Sequence, residues 1–243
     1  RTYELGEELN WPEETFDHFI MKSSKRDQYE KGSQVYFCYG RLPNRQLLLR
    51  YGFALENNKY ESFIFKLPYL DYVKENRWLI EKLKEKGQSR YMKFKIRRTA
   101  INVNLINYFK GTLFSSGKYS YEAIVLPVDM KLEIKAVEKV IELLKKELGT
   151  FNKTPEEYKA LLKDPNTGYH EYFANVFKIE KHRLLTFHLR ACEVLIAILK
   201  RLDYGDALNT ACEPLPNLES EDEFYRNRFF LKKYLNQLKK KFA

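Results

Sequence analysis

The stretch that decides the fold reads Tyr39-Gly40-Arg41-Leu42-Pro43-Asn44-Arg45-Gln46-Leu47-Leu48-Leu49-Arg50-Tyr51-Gly52-Phe53. Two Tyr-Gly pairs bracket an asparagine and a run of leucines, and a phenylalanine closes the stretch. The leucine run predicts a turn of helix, which the Asn44 side chain is expected to cap. The aromatic residues around this helix are either ordinary core side chains or the wall of a site, and the flanking sequence has to decide between them.

The residues before this stretch predict strands and a tight turn. Residues 34–38 are rich in β-forming side chains, and residues 15–22 mix polar and apolar positions as a half-buried strand does. Lys31-Gly32 predicts the turn between them, because glycine accepts positive φ freely. Residues 1–55 are therefore expected to be β and irregular.

From Tyr69 onward the apolar residues follow a helical period. Thr154-Pro155-Glu156-Glu157 has the order of a capping box with proline at the first helical position, and Ser220-Glu221-Asp222-Glu223 is a second capping box. Residues 205–218 are expected to be a connection. The pattern predicts helices over about 73–87, 100–114, 132–148, 155–163, 169–202 and 220–238, with a short strand over 91–96.

The bulk composition fits a soluble globular protein, and the predicted order of a β-rich start followed by helices makes α+β the expected fold class. Hydrophobic residues make up 44% of the chain and charged residues 31%, and no apolar run is long enough to span a bilayer, so no membrane partner is expected. The three cysteines, Cys38, Cys192 and Cys212, are too scattered for a disulfide framework. They fit an intracellular, reducing compartment; the cytoplasm or nucleus is expected, and an organelle stays open.

The motifs, taken in order, resemble a known family. Lys31-Gly32-Ser33-Gln34-Val35, the two Tyr-Gly pairs and Phe53 resemble the C-terminal end of a SET domain, in the branch that includes Rubisco large-subunit methyltransferase. Thr154–Tyr158 and Glu180-Lys181, each followed by a Leu-Leu pair, resemble pieces of the helical substrate-binding domain of that branch. The resemblance implies the C-terminal portion of a β-rich SET domain over residues 1–57 and a mainly α-helical substrate-binding domain over 58–243.

The resemblance also implies an activity and a set of site residues. Members of this branch transfer a methyl group from S-adenosylmethionine to a side chain of another protein, so a protein-lysine N-methyltransferase is expected, with a histidine target left open. Tyr39 corresponds to the active-site tyrosine, Tyr51 to the substrate channel and Phe53 to the cofactor edge. Arg41 is a substrate-binding candidate, and Gly40 is expected to let the backbone pass close to a neighbouring segment.

Two family motifs do not occur in this sequence. The Gly-rich segment that binds S-adenosylmethionine and the Asn-His pair before the final strands would both lie upstream of Arg1. The chain is therefore expected to be the C-terminal portion of a longer enzyme, or one whose cofactor half has been lost. By itself it is not expected to bind the cofactor or to be active.

Two other functions stay open. The first is a non-catalytic interaction subunit of a larger assembly, derived from a SET protein. The second is a nucleic-acid module, because the net charge is +10, but the lysines alternate with acids and no nucleic-acid motif is present. The histidines His18, His170, His182 and His188 lack metal-ligand spacing, so no metal site is predicted.

Overall fold

The computed structural model describes residues 30–33, 40–69, 81, 91–113, 127, 129–211 and 231–242. The chain divides into two compact units, residues 1–40 and residues 41–243. In the first unit, the predicted turn at Lys31-Gly32 is confirmed, with Gly32 at a φ of 88° and the Ser33 amide donating to the Glu30 carbonyl at 3.0 Å. The predicted strands over 15–22 and 34–38 and the capping box at 220–223 lie outside the described residues, and so does the predicted helix over 73–87 except for Glu81.

The second unit contains both helices and strands, which confirms the predicted α+β class. In chain order its elements are α1 (Asn44–Tyr51), β1 (Ser62–Pro68), β2 (Tyr91–Arg97), α2 (Val103–Leu113), α3 (Met130–Leu148), α4 (Pro155–Leu162), α5 (Tyr169–Asp203), α6 (Leu208–Ala211) and α7 (Lys232–Phe242).

The two strands pair antiparallel, with Phe65 opposite Phe94. Phe65, Phe94 and Ile96 are buried on the inner face of this sheet, because alternate residues of a strand point to the same side. β2 confirms the strand predicted over 91–96. β1 is a strand that the patterns above do not predict, although alternating Phe63, Phe65 and Leu67 carry its signal.

Helices α1, α3, α4 and α6 pack against α5, which is 35 residues long and spans about 50 Å. Its apolar face, including Leu184, Leu195 and Ile198, packs on α3 and α4. α4 begins with the predicted capping box: the Glu157 amide donates to the Thr154 hydroxyl, and the Thr154 amide donates to the Glu157 carboxylate. α2, α3 and α5 confirm the predicted helices within a few residues at each end.

Two further features belong to α5 and α6. Cys192, in α5, is fully buried, and burial raises its pKa to about 12. The connection predicted over 205–218 contains the single helical turn α6. Within the described part of the chain, no helix has the length and apolar character that crossing a bilayer requires.

A buried polar cluster joins α2, α3 and α7. The Lys110 ammonium lies 2.7 Å from the Glu133 carboxylate, and the Tyr234 hydroxyl donates to the other oxygen of that carboxylate. All three side chains are almost completely buried. Desolvation lowers the pKa of Lys110 and raises that of Tyr234, and their contacts with Glu133 offset part of the cost of burying them.

Candidate functional site

The predicted site residues fall at the start of the second unit and just before it. Tyr39, the predicted catalytic residue, lies outside the described residues. Gly40 has a φ of 98°, a conformation that favours glycine. Among the described residues, nothing lies within 4 Å of the position of a Cβ at Gly40, and the predicted close approach to a neighbouring segment stays a prediction.

Arg41 is exposed, and its guanidinium lies 5.9 Å from the centre of the Tyr60 ring. That spacing is typical of a cation–π contact at a protein surface. Among the described residues, the Arg41 guanidinium lies over the Tyr60 ring and not over the ring of Tyr51 or Phe53. The structure therefore places Arg41 beside the loop that follows α1.

Helix α1 carries the leucine run and ends at Gly52. Leu47 is buried, while Leu49 points outward. Gly52 has a φ of 78°, and its backbone N–H donates to the Leu48 carbonyl at 3.0 Å. A glycine in this left-handed conformation is a common way to end an α-helix. Pro43, and not Asn44, stands at the N-cap position, and no side chain caps the helix. The expectation that Asn44 caps α1 is wrong.

Asn44 instead fastens α1 to the segment that follows it. Its side-chain amide donates to the Leu55 carbonyl at 2.8 Å, and its side-chain oxygen accepts from the Leu55 amide at 2.9 Å. The same oxygen accepts from the Asn58 side chain at 3.0 Å, and Asn58 also donates to the Leu42 carbonyl at 3.0 Å. Since Phe53 lies just before Leu55, these bonds fix the direction in which the chain leaves α1.

Glu61 completes this network from the other side. Its carboxylate accepts from the backbone N–H of Asn44 at 3.2 Å and from the backbone N–H of Ser62 at 2.9 Å. Burial raises the pKa of Glu61, the two amide hydrogen bonds oppose that rise, and the nearby Glu180 adds to it. Asn44, Asn58 and Glu61 thus form a buried polar support beneath the loop 52–61.

An aromatic cluster lies where this loop meets the start of α5. The Tyr51 and Phe53 rings have centres 6.3 Å apart, and Phe53 meets Phe173 edge-on at 6.4 Å. Tyr169 and Tyr172 lie 4.9 and 5.2 Å from Phe173, also edge-on. Tyr51 is 41% exposed and Tyr169 is 63% exposed, so these aromatic side chains reach solvent. The structure therefore brings two of the predicted site residues, Tyr51 and Phe53, together.

Polar contacts tie the same loop to α5. Arg183 donates to the Glu180 carboxylate at 2.8 Å and also to the Asn57 side chain. The Tyr172 hydroxyl donates to Glu56 at 3.3 Å. Glu180 is buried, and its second carboxylate oxygen has no hydrogen-bond partner among the described residues.

The chemistry available to this cluster is aromatic and positional. Within the described residues, no group of histidine, cysteine or carboxylate side chains could hold a metal ion. His188 is buried and bonded to the Arg97 carbonyl at 2.9 Å, and His182 packs edge-on against Phe151 at 5.3 Å. The described residues thus offer ring faces that suit a cation or an apolar stem, held in place by a rigid polar support.

Several residues of this cluster were not singled out by the sequence. Asn58 and Glu61 gave no signal, because a polar residue in a loop is normally solvated. Phe173 belonged to a helical apolar stripe, and only its contact with Phe53 separates it from the core residues of that stripe. Glu180 was noted only as part of a Glu-Lys pair, and its neighbour Lys181 pairs with Glu147 at 2.6 Å.

Comparison with known proteins identifies the fold through structure alone. No family model matches the chain, and no curated protein matches its sequence. The chain is similar to the crystal structure of the SET domain of LSMT bound to lysine and AdoHcy, with a TM-score of 0.57 and 18% identity, over 82% of this chain and 48% of that one.

Two further solved structures give the same result. Rubisco LSMT bound to AdoMet matches with a TM-score of 0.57 and 18% identity, over 81% of this chain and 48% of that one. Rubisco LSMT bound to sinefungin and monomethyllysine matches with a TM-score of 0.56 and 17% identity, over the same shares of the two chains, 81% and 48%. The chain spans about half the length of the structures it matches. At this level of identity the likeness shows the fold alone: the chain has a SET-like fold, similar to about half of each matched structure.

Proposed function

We propose that this chain is part of an S-adenosylmethionine-dependent protein-lysine N-methyltransferase. The observation that supports the proposal is the fold likeness to Rubisco LSMT over most of the chain, at a TM-score of 0.57. The Tyr51–Phe53–Phe173 cluster adds to it, since aromatic walls suit this chemistry. The activity is that of the whole enzyme, because the cofactor motifs implied by the resemblance do not occur in these 243 residues.

Methyl transfer to lysine requires a neutral amine aligned with the bond to be broken. Lysine has an ordinary pKa of about 10.4 and is protonated at neutral pH. A channel walled by aromatic side chains disfavours the ammonium form by desolvation. In the proposal, Tyr51 lines that channel, and its ring packs along the aliphatic stem of the target side chain.

The remaining roles are assigned to Tyr39, Phe53 and Arg41. The Tyr39 hydroxyl orients the target amine, and Arg41 faces the protein substrate at the surface. Phe53 packs at the cofactor edge of the channel, where the Asn44 network holds the chain that carries its ring. A protein substrate is therefore the proposed partner.

The described residues fit one side of an S-adenosylmethionine site. The half-buried Phe53 ring, edge-on to Phe173, offers an aromatic surface of the kind that accepts a cation or a flat ring. When bound, S-adenosylmethionine supplies an electrophilic methyl group. Among the described residues, we assign none to the polar part of S-adenosylmethionine.

The test is methyl transfer by the full-length polypeptide, with labelled S-adenosylmethionine and candidate protein substrates. We expect Tyr39→Phe to lower the rate at least about a hundred-fold, as loss of a positioned hydroxyl donor does. Tyr204→Phe is the matched control, because Tyr204 is 90% exposed and should leave the rate unchanged. Activity that survives Tyr39→Phe would remove the assigned role.

A binding measurement separates catalysis from a non-catalytic interaction function. Catalysis requires that the full-length polypeptide bind S-adenosylmethionine, which calorimetry measures. A folded polypeptide that binds a protein partner but no S-adenosylmethionine would overturn the proposed activity and support an interaction subunit.

A further inference from the structure

The outer face of the two-stranded sheet carries a concentration of positive charge. In the observed register, Lys66 lies opposite Lys93, Ile64 opposite Lys95 and Ser62 opposite Arg97. Residues directly opposite each other point to the same side, so Lys66, Lys93, Lys95 and Arg97 share one face, which we call the basic sheet face. All four are exposed.

This arrangement of charges destabilises the two-stranded sheet. Like charges directly across a pair of strands repel each other, and Lys66 and Lys93 are such a pair. Among the described residues, no carboxylate forms an ion pair with any of the four side chains. Concentrated positive charge of this kind attracts a polyanion, since opposite charges relieve the repulsion on contact.

The basic sheet face also carries exposed apolar side chains. Ile64 is 44% exposed and Tyr91 is 52% exposed. Beside Ile64 lies a cavity of about 430 Å³. Arg45, Lys66, Lys93 and Lys95 are among the residues that line it. Phe63, Phe177 and Leu184 supply apolar surface to the same cavity.

We propose that the basic sheet face binds an acidic segment of a partner protein, with an apolar side chain of that segment in the adjoining cavity. Lys93, Lys95 and Arg97 stand two residues apart along β2, about 6.8 Å between successive positions. Carboxylates at alternate positions of an extended polypeptide have the same period. The apolar lining fits a leucine or phenylalanine side chain between them.

A protein partner fits this surface better than a nucleic acid does. The buried Glu61 carboxylate lines the cavity, so a phosphate placed there would meet a like charge. An apolar side chain meets no such penalty. The inference extends beyond methyl transfer, because it concerns the binding of a partner and needs no methyl donor.

The experiment measures binding of a synthetic probe to the full chain. The probe is a fluorescein-labelled peptide with glutamates at alternate positions and one central leucine, followed by anisotropy at about 0.15 M salt. We expect saturable binding that weakens at least about ten-fold in the double variant Lys66→Glu/Lys93→Glu. Replacing the leucine of the peptide by serine should also weaken binding.

The matched control is Lys135→Glu/Lys146→Glu on the exposed side of α3, which lowers the net charge by the same amount. This control should bind the peptide within about two-fold of the unaltered chain, since only the general field has changed. Circular dichroism checks that both double variants are folded.

Three results would overturn the proposal. They are the absence of peptide binding by the unaltered chain, equal losses in the two double variants, and tighter binding of a labelled oligothymidylate that is lost in Lys66→Glu/Lys93→Glu. The last result would assign the basic sheet face to nucleic acid. None of these outcomes bears on methyl transfer, which is measured separately.

Discussion

Asn44 is the residue on which the geometry of the candidate site most directly depends. It is completely buried, yet its side chain forms hydrogen bonds with Leu55 in both directions and with Asn58. A buried polar group without partners costs free energy, so this side chain is tolerable only because each polar atom is used. The residue therefore joins the end of the Tyr51–Phe53 segment to the beginning of α1.

We expect Asn44→Ala to lower the free energy of unfolding by about 2–4 kcal/mol, because it leaves the Leu55 amide and carbonyl without partners. Urea denaturation followed by circular dichroism measures this loss. Asn166→Ala is the control, because Asn166 is exposed and its side chain donates to the nearby Asp164, and it should cost less than about 1 kcal/mol. Equal effects of the two substitutions would contradict the role given to Asn44.

His188 makes stability depend on pH. Its Nε2 lies 2.9 Å from the Arg97 carbonyl, which can only accept, so Nε2 carries the proton of a neutral ring. Burial lowers the pKa of His188 from 6.5 to about 4. Because the unfolded chain binds this proton more readily, the contribution of His188 is complete above about pH 6.5 and is lost as the pH falls towards 4.

The lost contribution of His188 amounts to about 3 kcal/mol across that window. Urea denaturation between pH 4 and 7.5, compared with His188→Gln, isolates it, because Glu61, whose pKa is raised, contributes with the opposite sign and is common to both proteins. A variant His188→Gln with an unchanged slope would show that His188 does not titrate as described.

At the scale of the element, the two-stranded sheet has a well-packed inner face and an outer face on which like charges repel each other. Phe65 and Phe94 fill the inner face, and Lys66 and Lys93 stand opposite each other outside. The inner face determines the register, because a shift by one residue would turn the phenylalanines to solvent. The register in turn forces the two lysines into proximity.

We expect Lys66→Glu alone to stabilise the protein by about 0.5 kcal/mol, because it converts a repulsive cross-strand pair into an attractive one. Lys93→Glu alone should do the same, and the double variant should return to the stability of the unaltered chain. Urea denaturation of the four proteins forms a double-mutant cycle. Additive effects of the two substitutions would rule out direct coupling across the strands.

At the scale of the whole molecule, the Lys110–Glu133–Tyr234 cluster holds together helices that are far apart in the sequence. α2 supplies the ammonium, α3 the carboxylate and α7 the hydroxyl. A buried ion pair adds little stability over an apolar replacement, but removal of one partner leaves an unpaired charge in the core. The cluster therefore constrains which face of α7 can pack inward.

We expect Lys110→Met to destabilise the protein by about 3–5 kcal/mol, because the buried Glu133 carboxylate then loses its bond to the Lys110 ammonium. The double variant Lys110→Met/Glu133→Gln should lose much less, since the glutamine carries no charge and its oxygen still accepts from Tyr234. Thermal and urea unfolding of both variants tests this order. A double variant as unstable as Lys110→Met would indicate that shape, and not charge, dominates.

The sequence by itself determined helices α2 to α5 to within a few residues at each end. The stripe along α3, the long apolar run of α5 and the capping box at Thr154 are all set by residues a few positions apart, so their signals are local. The turn at Lys31-Gly32 and the strand β2 follow from the same kind of local pattern. The motif order from Lys31 to Phe53 also led to the SET-like fold, which the solved structures support.

The tertiary structure alone decided the surroundings of the site. Asn44 was expected to cap α1, but its partner Leu55 is reached only because the chain folds back after Gly52. Phe53 meets Phe173, and Asn57 meets Arg183, across a separation of more than a hundred residues. Such contacts leave no periodic signal, because they depend on how the elements pack and not on the spacing of neighbours along the chain.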